Sequence, residues 1–491
     1  MATAPSGSRS RADRWILVLV ASAQLMVVLD MTIMIIALPS AQRSLGFSDA
    51  DRQWVITAYT LTFGGLLLLG GRISDMVGPK RTLMIGVLGF ASASALGGAS
   101  QGLEMLILAR GLQGVFGAVL TPSVLSLLTT TFTEPRARAR AFGVYASIAI
   151  GGAALGLIVG GILTQYLDWR WCLYVNVPIA LAVAFGVATM VPKRTGHPGV
   201  RLDIPGTVLG CGGLVALVYA LGQAATDGWG STSVLASFGL SAVLLVGFVV
   251  VQGRVANPLL PLRIVANRNR AGSFLGIMLA MLSNYGVFLF FTYFLQTIQR
   301  YSPLRTGLAF LPLMVMNGLA ATQVASRLMP WVRTRLIVVP GLLIAAVGTA
   351  LLSQLTPHAS YTTHILPSEL MIGLGFGLAV VPLISTATNN AEPRDAGVTA
   401  AATNTAQQIG ASIGTALLNT IAATVTATAL AAAPGGSQAV AAATVHGYAV
   451  ASWFGAGAIV LAMVGAGLLV NADPRAVRSE AVELVEAPLV L

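Results

Sequence analysis

Fourteen apolar runs, each long enough to cross a bilayer, alternate with short polar connections along this 491-residue chain. They lie near 15–38, 53–71, 82–100, 104–129, 140–166, 171–191, 205–225, 232–252, 271–298, 304–328, 335–356, 365–388, 399–427 and 447–470. A helix needs ~20 apolar residues to cover the hydrocarbon core. Helices are required because an open strand in lipid leaves backbone groups unpaired. Only 9% of the residues are charged, against roughly 25% in a soluble domain. So few charges cannot cover a water-facing surface of this size. Soluble multidomain enzymes, disordered chains and nucleic-acid binders are thereby excluded, and an all-α polytopic membrane protein with 14 transmembrane helices remains.

The net charge of +11 is then a topology signal. With the N-terminus inside, 22 of the 28 Lys and Arg residues fall on inside segments, five outside and one, Arg110, within a span. Asp and Glu divide ten inside, six outside and one, Asp30, within a span. The cytoplasmic face therefore carries +12 and the other face −1, so both termini are expected in the cytoplasm. Residues 15 to about 38 are too long for a signal-peptide core and read as a retained first helix. Two lysines stand against 26 arginines in an Ala- and Gly-rich chain, a usage that fits a GC-rich bacterial genome and hence the bacterial cell membrane.

A weak internal repeat divides the chain. Gly71-Arg72-Ile73-Ser74-Asp75 with Gly78-Pro79-Lys80-Arg81 follows span 2, and Ser326-Arg327-Leu328-Met329-Pro330 with Arg333-Thr334-Arg335 follows span 10. Both connections are short, basic and inside, with a cation eight residues after the first Arg. The expected organisation is a cytoplasmic N-terminus (1–14), a six-helix bundle (15–191), two linking helices with their loops (192–270), a second six-helix bundle (271–470) and a cytoplasmic tail (471–491). In the tail, Glu480, Glu483 and Glu486 fit a solvated helical face.

Asp30 reads as the only carboxylate deep inside a span. A charge at the bilayer centre costs ~2.5–3.5 kcal/mol on insertion scales, which makes it a functional candidate. Burial favours its protonated form, as a reversible proton carrier needs; the alternative is a structural carboxylate bonded to a neighbouring helix. At ~1.5 Å per residue, Asp30 of span 1 and Arg110 of span 4 lie at similar depth. Arg110 is thus either a coupling partner, half of a static pair, or snorkelling outward. Gly71, Arg72, Asp75, Gly78 and Arg81 form a tight turn with an acid among cations, a conformational latch or a plain basic loop. Gly151, Gly152, Gly156, Gly160 and Gly161 give span 5 a smooth face for close approach, either as plain packing or as a moving contact. Trp169-Arg170-Trp171 fits an interfacial aromatic belt. Asn284, Tyr285, Tyr293 and Gln296 of span 9 and Asn404, Gln407 and Gln408 of span 13 either line a substrate cavity or bond helix to helix. Cys172 and Cys211 form no framework, and His197, His358, His364 and His446 fall in connections or at span ends. No metal set, no Walker motif and no catalytic cluster is present.

These segments together resemble the major facilitator superfamily, and within it the fourteen-helix drug:proton antiporter branch. Leu29-Asp30-Met31-Thr32-Ile33 to Ala37-Leu38-Pro39 resembles that branch's first-helix motif. Gly71 to Arg81 resembles the superfamily's loop between helices 2 and 3, and Arg110-Gly111-Leu112-Gln113-Gly114 its helix-4 motif. Trp169-Arg170-Trp171 with Asn176-Val177-Pro178 is similar to the helix 5–6 junction. Ser302-Pro303-Leu304, Gly307 and Phe310-Leu311-Pro312 are similar to the entry into helix 10. One departure is Gly156-Leu157, where the helix-5 exporter motif usually reads Gly-Pro; losing the proline removes a kink point. Span 10 also lacks the acid that relatives exporting divalent cations tend to carry there.

The resemblance implies a non-enzymatic exporter of a lipophilic small molecule, an antibiotic or drug. It would be driven by the proton gradient without a cofactor, and would work as a monomer surrounded by membrane lipid. It further implies Asp30 as the proton site, Arg110 as its coupling partner, the 71–81 loop as a latch, and Gly152, Gly156, Gly160 and Gly161 as a sliding surface. Two other readings remain open at this level: a proton-coupled importer of a metabolite, and a membrane sensor without flux.

Overall fold

The computed structural model describes residues 6–193, 196, 202–389, 392, 395–432 and 436–472. The first five residues and most of the tail, with Glu480, Glu483 and Glu486, lie outside the described residues. Among the described residues, fourteen helices have the length and apolarity to cross a membrane. Spans 1–6 are Asp13–Leu45, Gln53–Val77, Pro79–Gly98, Leu103–Thr131, Arg140–Tyr166 and Trp171–Met190. Spans 7 and 8 are Ile204–Asp227 and Thr232–Arg254. Spans 9–14 are Arg268–Ile298, Pro303–Leu328, Thr334–Gln354, Tyr361–Thr388, Ala396–Ala432 and Ser437–Leu469.

Each expected run became one span, but several helices outlast their apolar stretch. Span 1 continues through Pro39 to Leu45, and span 14 begins at Ser437, ten residues before its expected start. Ala-rich sequence prolongs a helix without needing apolar bulk. His446, expected in a connection, is therefore inside span 14, although exposed.

The packing repeats. Spans 1–6 associate mainly as 2 with 4, 3 with 4, 1 with 5, 3 with 6 and 1 with 6. Spans 9–14 associate as 10 with 12, 11 with 12, 9 with 13, 11 with 14 and 9 with 14, the same scheme displaced by eight. Between these six-helix bundles, span 2 packs on span 13 and span 5 on span 10, again equivalent pairings. Spans 7 and 8 pair with each other, and span 7 leans on spans 2 and 13. Span 8 buries only 11% of its apolar window, against 61% for span 9. It therefore faces lipid and adds little to the core. The face bearing the 71–81 loop is called below the basic face, and the other the opposite face.

Candidate functional site

The N-terminal bundle is closed around one polar centre. Arg110 Nη1 donates to Asp30 Oδ2 at 2.6 Å and to Gln113 Oε1 at 2.8 Å. Gln113 Nε2 donates to Asp30 Oδ1 at 2.9 Å and lies 2.7 Å from Ser94 Oγ. Asn176 Nδ2 donates to Asp30 Oδ1 at 2.7 Å. Arg110 Nε donates to the Val55 carbonyl at 3.1 Å, and the guanidinium lies 4.4 Å over the Tyr59 ring. Spans 4 and 6 thus bond the carboxylate of span 1 directly, and spans 2 and 3 join the same network through Arg110 and Gln113. Asp30 and Arg110 are 0% and 2% exposed, whereas the Arg52–Asp49, Arg170–Asp168 and Arg263–Asp395 pairs each have an exposed member.

Gln113 and Asn176 are polar residues of this site that the sequence reading had not assigned to it. Gln113 sits one turn from Arg110, the spacing at which helical neighbours share a face, which was the available signal. For Asn176 only its position within Asn176-Val177-Pro178 hinted at a role. Two amides and a cation thus converge on the Asp30 carboxylate.

The glycines of span 5 serve two neighbours. A Cβ on Gly152 would stand 3.0 Å from Leu25 Cδ1, on Gly156 1.9 Å from Thr32 Oγ1, and on Gly160 3.1 Å from Ile33 Cα, so these three hold span 1 within the same bundle. Gly161 faces the other bundle, where a Cβ would stand 2.7 Å from Leu304 Cα. The contact is reciprocal, since a Cβ on Gly307 would lie 2.3 Å from the Leu157 carbonyl oxygen. Leu157, where the resemblance expected proline, is fully buried at this contact.

Further bonds join the bundles at the opposite face. Arg52 Nε donates to Asn419 Oδ1 at 2.8 Å, and its guanidinium lies 4.0 Å over the Tyr293 ring. Tyr293 donates to Gln42 Oε1 at 2.6 Å, and Gln296 Nε2 to the Ile36 carbonyl at 3.0 Å. Asn419 Nδ2 donates to the Asp49 carbonyl at 3.1 Å. Tyr293 and Gln296, offered as cavity residues or interhelical bonds, act here as the latter.

Toward the basic face the bundles part around a cavity of about 550 Å³, walled by spans 2, 4, 5 and 13. Gly71, Arg72, Asp75 and Asn404 line it. Asn284, Tyr285 and Gln407 are not among its lining residues. Tyr285 packs on the hydrophobic core, and Gln407 donates to Asn404 Oδ1 at 3.4 Å. Gly71, Arg72 and Asp75, expected in a tight turn, belong to the last turns of span 2, and the 71–81 segment turns only at Gly78, which ends that helix at φ +93°, a conformation that glycine tolerates. Arg72 donates to the Pro258 carbonyl at 3.1 Å, tying the loop to the segment after span 8. Lys80 donates to the Ala188 and Val191 carbonyls at the end of span 6, where a cation satisfies unpaired carbonyls. Arg81 is exposed.

Two expectations are corrected here. Trp169 is 2% exposed and belongs to the core; only Trp171, 49% exposed, faces outward as a belt residue would. Asp30 is also not the only carboxylate inside a span. Glu369, assigned to the outside, lies in span 12 with no exposed surface, because that helix starts at Tyr361 and not at 365.

A model of the Major Facilitator Superfamily matches residues 20–415. The chain is 50% identical over 464 residues to the puromycin resistance protein pur8 of Streptomyces alboniger, covering 94% of this chain and 92% of that one. It is 37% identical over 412 residues to the cephamycin export protein CmcT of Amycolatopsis lactamdurans, covering 82% and 84%. Its fold matches a bacterial homologue of the human lysosomal transporter Spinster at a TM-score of 0.65 and 15% identity, covering 96% of this chain and 98% of that one. The repeated six-helix bundles, the buried polar centre and these matches lead to one assignment: this chain belongs to the Major Facilitator Superfamily and is a multi-pass membrane transporter, not an enzyme.

Proposed function

We propose that this transporter exports an antibiotic in exchange for protons, by alternating access, from a bacterial cell membrane in which both termini are cytoplasmic. The observation that carries the reading is Asp30 paired with Arg110 in a bundle interior without exposed surface. An ionisable pair in that position is costly to keep unless it works. Protonating Asp30 cancels the charge that Arg110, Gln113 and Asn176 converge on, so the bonds holding spans 4 and 6 to span 1 weaken together. Releasing the proton restores them. Proton occupancy is thereby linked to how span 1 sits against its neighbours, and span 1 carries the Ile36 and Gln42 contacts to the other bundle.

The excess of Lys and Arg makes the basic face cytoplasmic. The cavity then opens inward and the opposite face is closed, as expected of a carrier that has released its proton and awaits substrate. The kinship with puromycin and cephamycin proteins supports an antibiotic as cargo, and the 50% identity makes puromycin the first to test. No cofactor is invoked, since the gradient supplies the energy.

In everted membrane vesicles, an imposed inside-acid gradient is expected to drive puromycin uptake, and a protonophore to abolish it. Accumulation that ignores the gradient, or that occurs only in right-side-out vesicles, would overturn export by antiport.

A further inference from the structure

The second bundle contains a buried acid that the Asp30 mechanism does not use. Glu369 is 0% exposed, and its Oε1 has no hydrogen-bond partner among the described residues. Its Oε2 lies 3.0 Å from the Tyr361 hydroxyl, which the π-helical turn Tyr361–Ile365 folds back against it. The same hydroxyl lies 2.7 Å from the Ala309 carbonyl oxygen of span 10.

Counting hydrogens places the proton. A phenol has one hydrogen and a carbonyl has none. The shorter contact takes the Tyr361 hydrogen to Ala309. The 3.0 Å contact is then a hydrogen bond only if Glu369 carries a hydrogen of its own and donates it to Tyr361. An ionised Glu369 would leave one oxygen bare and the other against a lone pair.

Among the described residues no cation pairs with Glu369, and Arg300 and His358 of the opposite-face connections are exposed. Span 13 has no ionisable side chain. The cations of spans 9 and 11 (Arg268, Arg270 and Arg335) stand at the basic face, as does Arg327 of span 10. Span 9 otherwise offers Tyr285 and Tyr293, the latter engaged by Gln42. Arg305 at the start of span 10 lies 3.8 Å over the Tyr301 ring, and His364 is exposed beside Thr363. Asp30 offers the contrast, with a cation and two amides around a carboxylate.

We propose that Glu369 is a second proton-binding site, in the C-terminal bundle, which is loaded from the opposite face and holds its proton while that face is closed. The chain Glu369–Tyr361–Ala309 joins spans 12 and 10, and span 10 makes the Gly307–Leu157 contact that seals the bundles. An ionised Glu369 would break this chain and favour the open face, where water can reach the acid. The proposal rests on the alternating-access reading for its consequence, though not for where the proton sits.

Two measurements on the full chain in lipid separate these. The first is the infrared carbonyl stretch of a protonated carboxyl at neutral pH. It is expected in the wild type and in Asp30→Asn, absent in Glu369→Gln, and shifted in Tyr361→Phe, which removes the acceptor. A wild type without that band, or a band untouched by both Glu369→Gln and Tyr361→Phe, overturns the proposal. The second is the distance between labels on exposed Leu167 and Val440 across the opposite face, followed against pH. One linked proton changes the closed-to-open ratio by at most about tenfold per pH unit. Glu369→Gln is expected to lower that slope to the part that Asp30 contributes and to favour the closed face. An unchanged slope in Glu369→Gln refutes the linkage to closure, while a wild type that never opens, with any substrate or pH, refutes alternating access and leaves the infrared result to decide the proton.

Discussion

Replacing Gly307 by Ala should shift the carrier between conformations while leaving each bundle intact. The added methyl would sit 2.3 Å from the Leu157 carbonyl oxygen and 3.0 Å from its carbon. Both are backbone atoms, so no side chain can turn away, and spans 5 and 10 must separate by several tenths of an ångström or more. Overpacking of this kind costs typically 1–3 kcal/mol. The contact joins the two bundles at the opposite face, so the cost falls on the closed conformation and largely vanishes when that face opens. The closed-to-open ratio should therefore drop about 5–150-fold. Labels on Leu167 and Val440, in a background with Cys172 and Cys211 replaced by Ala, report it as a growing long-distance population. Gly161→Ala, facing Leu304 from the other side, should act in the same direction. Gly156→Ala is the control. Its clash is with Thr32 inside one bundle, so it should lower thermal stability without moving the ratio. If Gly307→Ala behaves like Gly156→Ala, the contact is plain packing and the reasoning fails.

Three further substitutions probe the polar centre and the loop. Asn176→Ala removes one donor to the Asp30 carboxylate, a charged hydrogen bond worth about 1.5–3 kcal/mol, so export should fall, and a rate equal to that of the wild type would dismiss Asn176. Arg110→Lys keeps the charge but loses the Nε bond to Val55 and the planar stack on Tyr59. Export should fall at least about tenfold, and wild-type rates would show that charge alone suffices. Gly78→Ala forces a side chain to φ +93° at a cost of about 1–3 kcal/mol, and an unchanged Tm in detergent would refute strain there.

The membrane architecture was legible because the bilayer imposes a length that few other environments demand, and each of the fourteen runs met it. Helix ends were less so, since an apolar run marks where lipid begins and not where hydrogen bonding stops. That difference hid Glu369. Placed four residues after an expected start at 365, it read as interfacial, whereas a π-turn beginning at Tyr361 puts it two turns inside and under span 10. Asp30 and Arg110 stood out because charges are scarce in spans, and depth alone set them level. Gln113, Asn176 and Ser94 did not, since amides and hydroxyls are common helix-to-helix bonds and their facing is a tertiary property. The same limit sent Trp169 to a belt when it fills the core.

The account turns on Asp30 carrying the transported proton. Reconstituted into liposomes with a pH-sensitive dye inside, the wild type should move protons in response to a puromycin gradient, and Asp30→Asn should keep its fold and bind puromycin yet move none. Proton movement by Asp30→Asn at the wild-type rate would contradict the account.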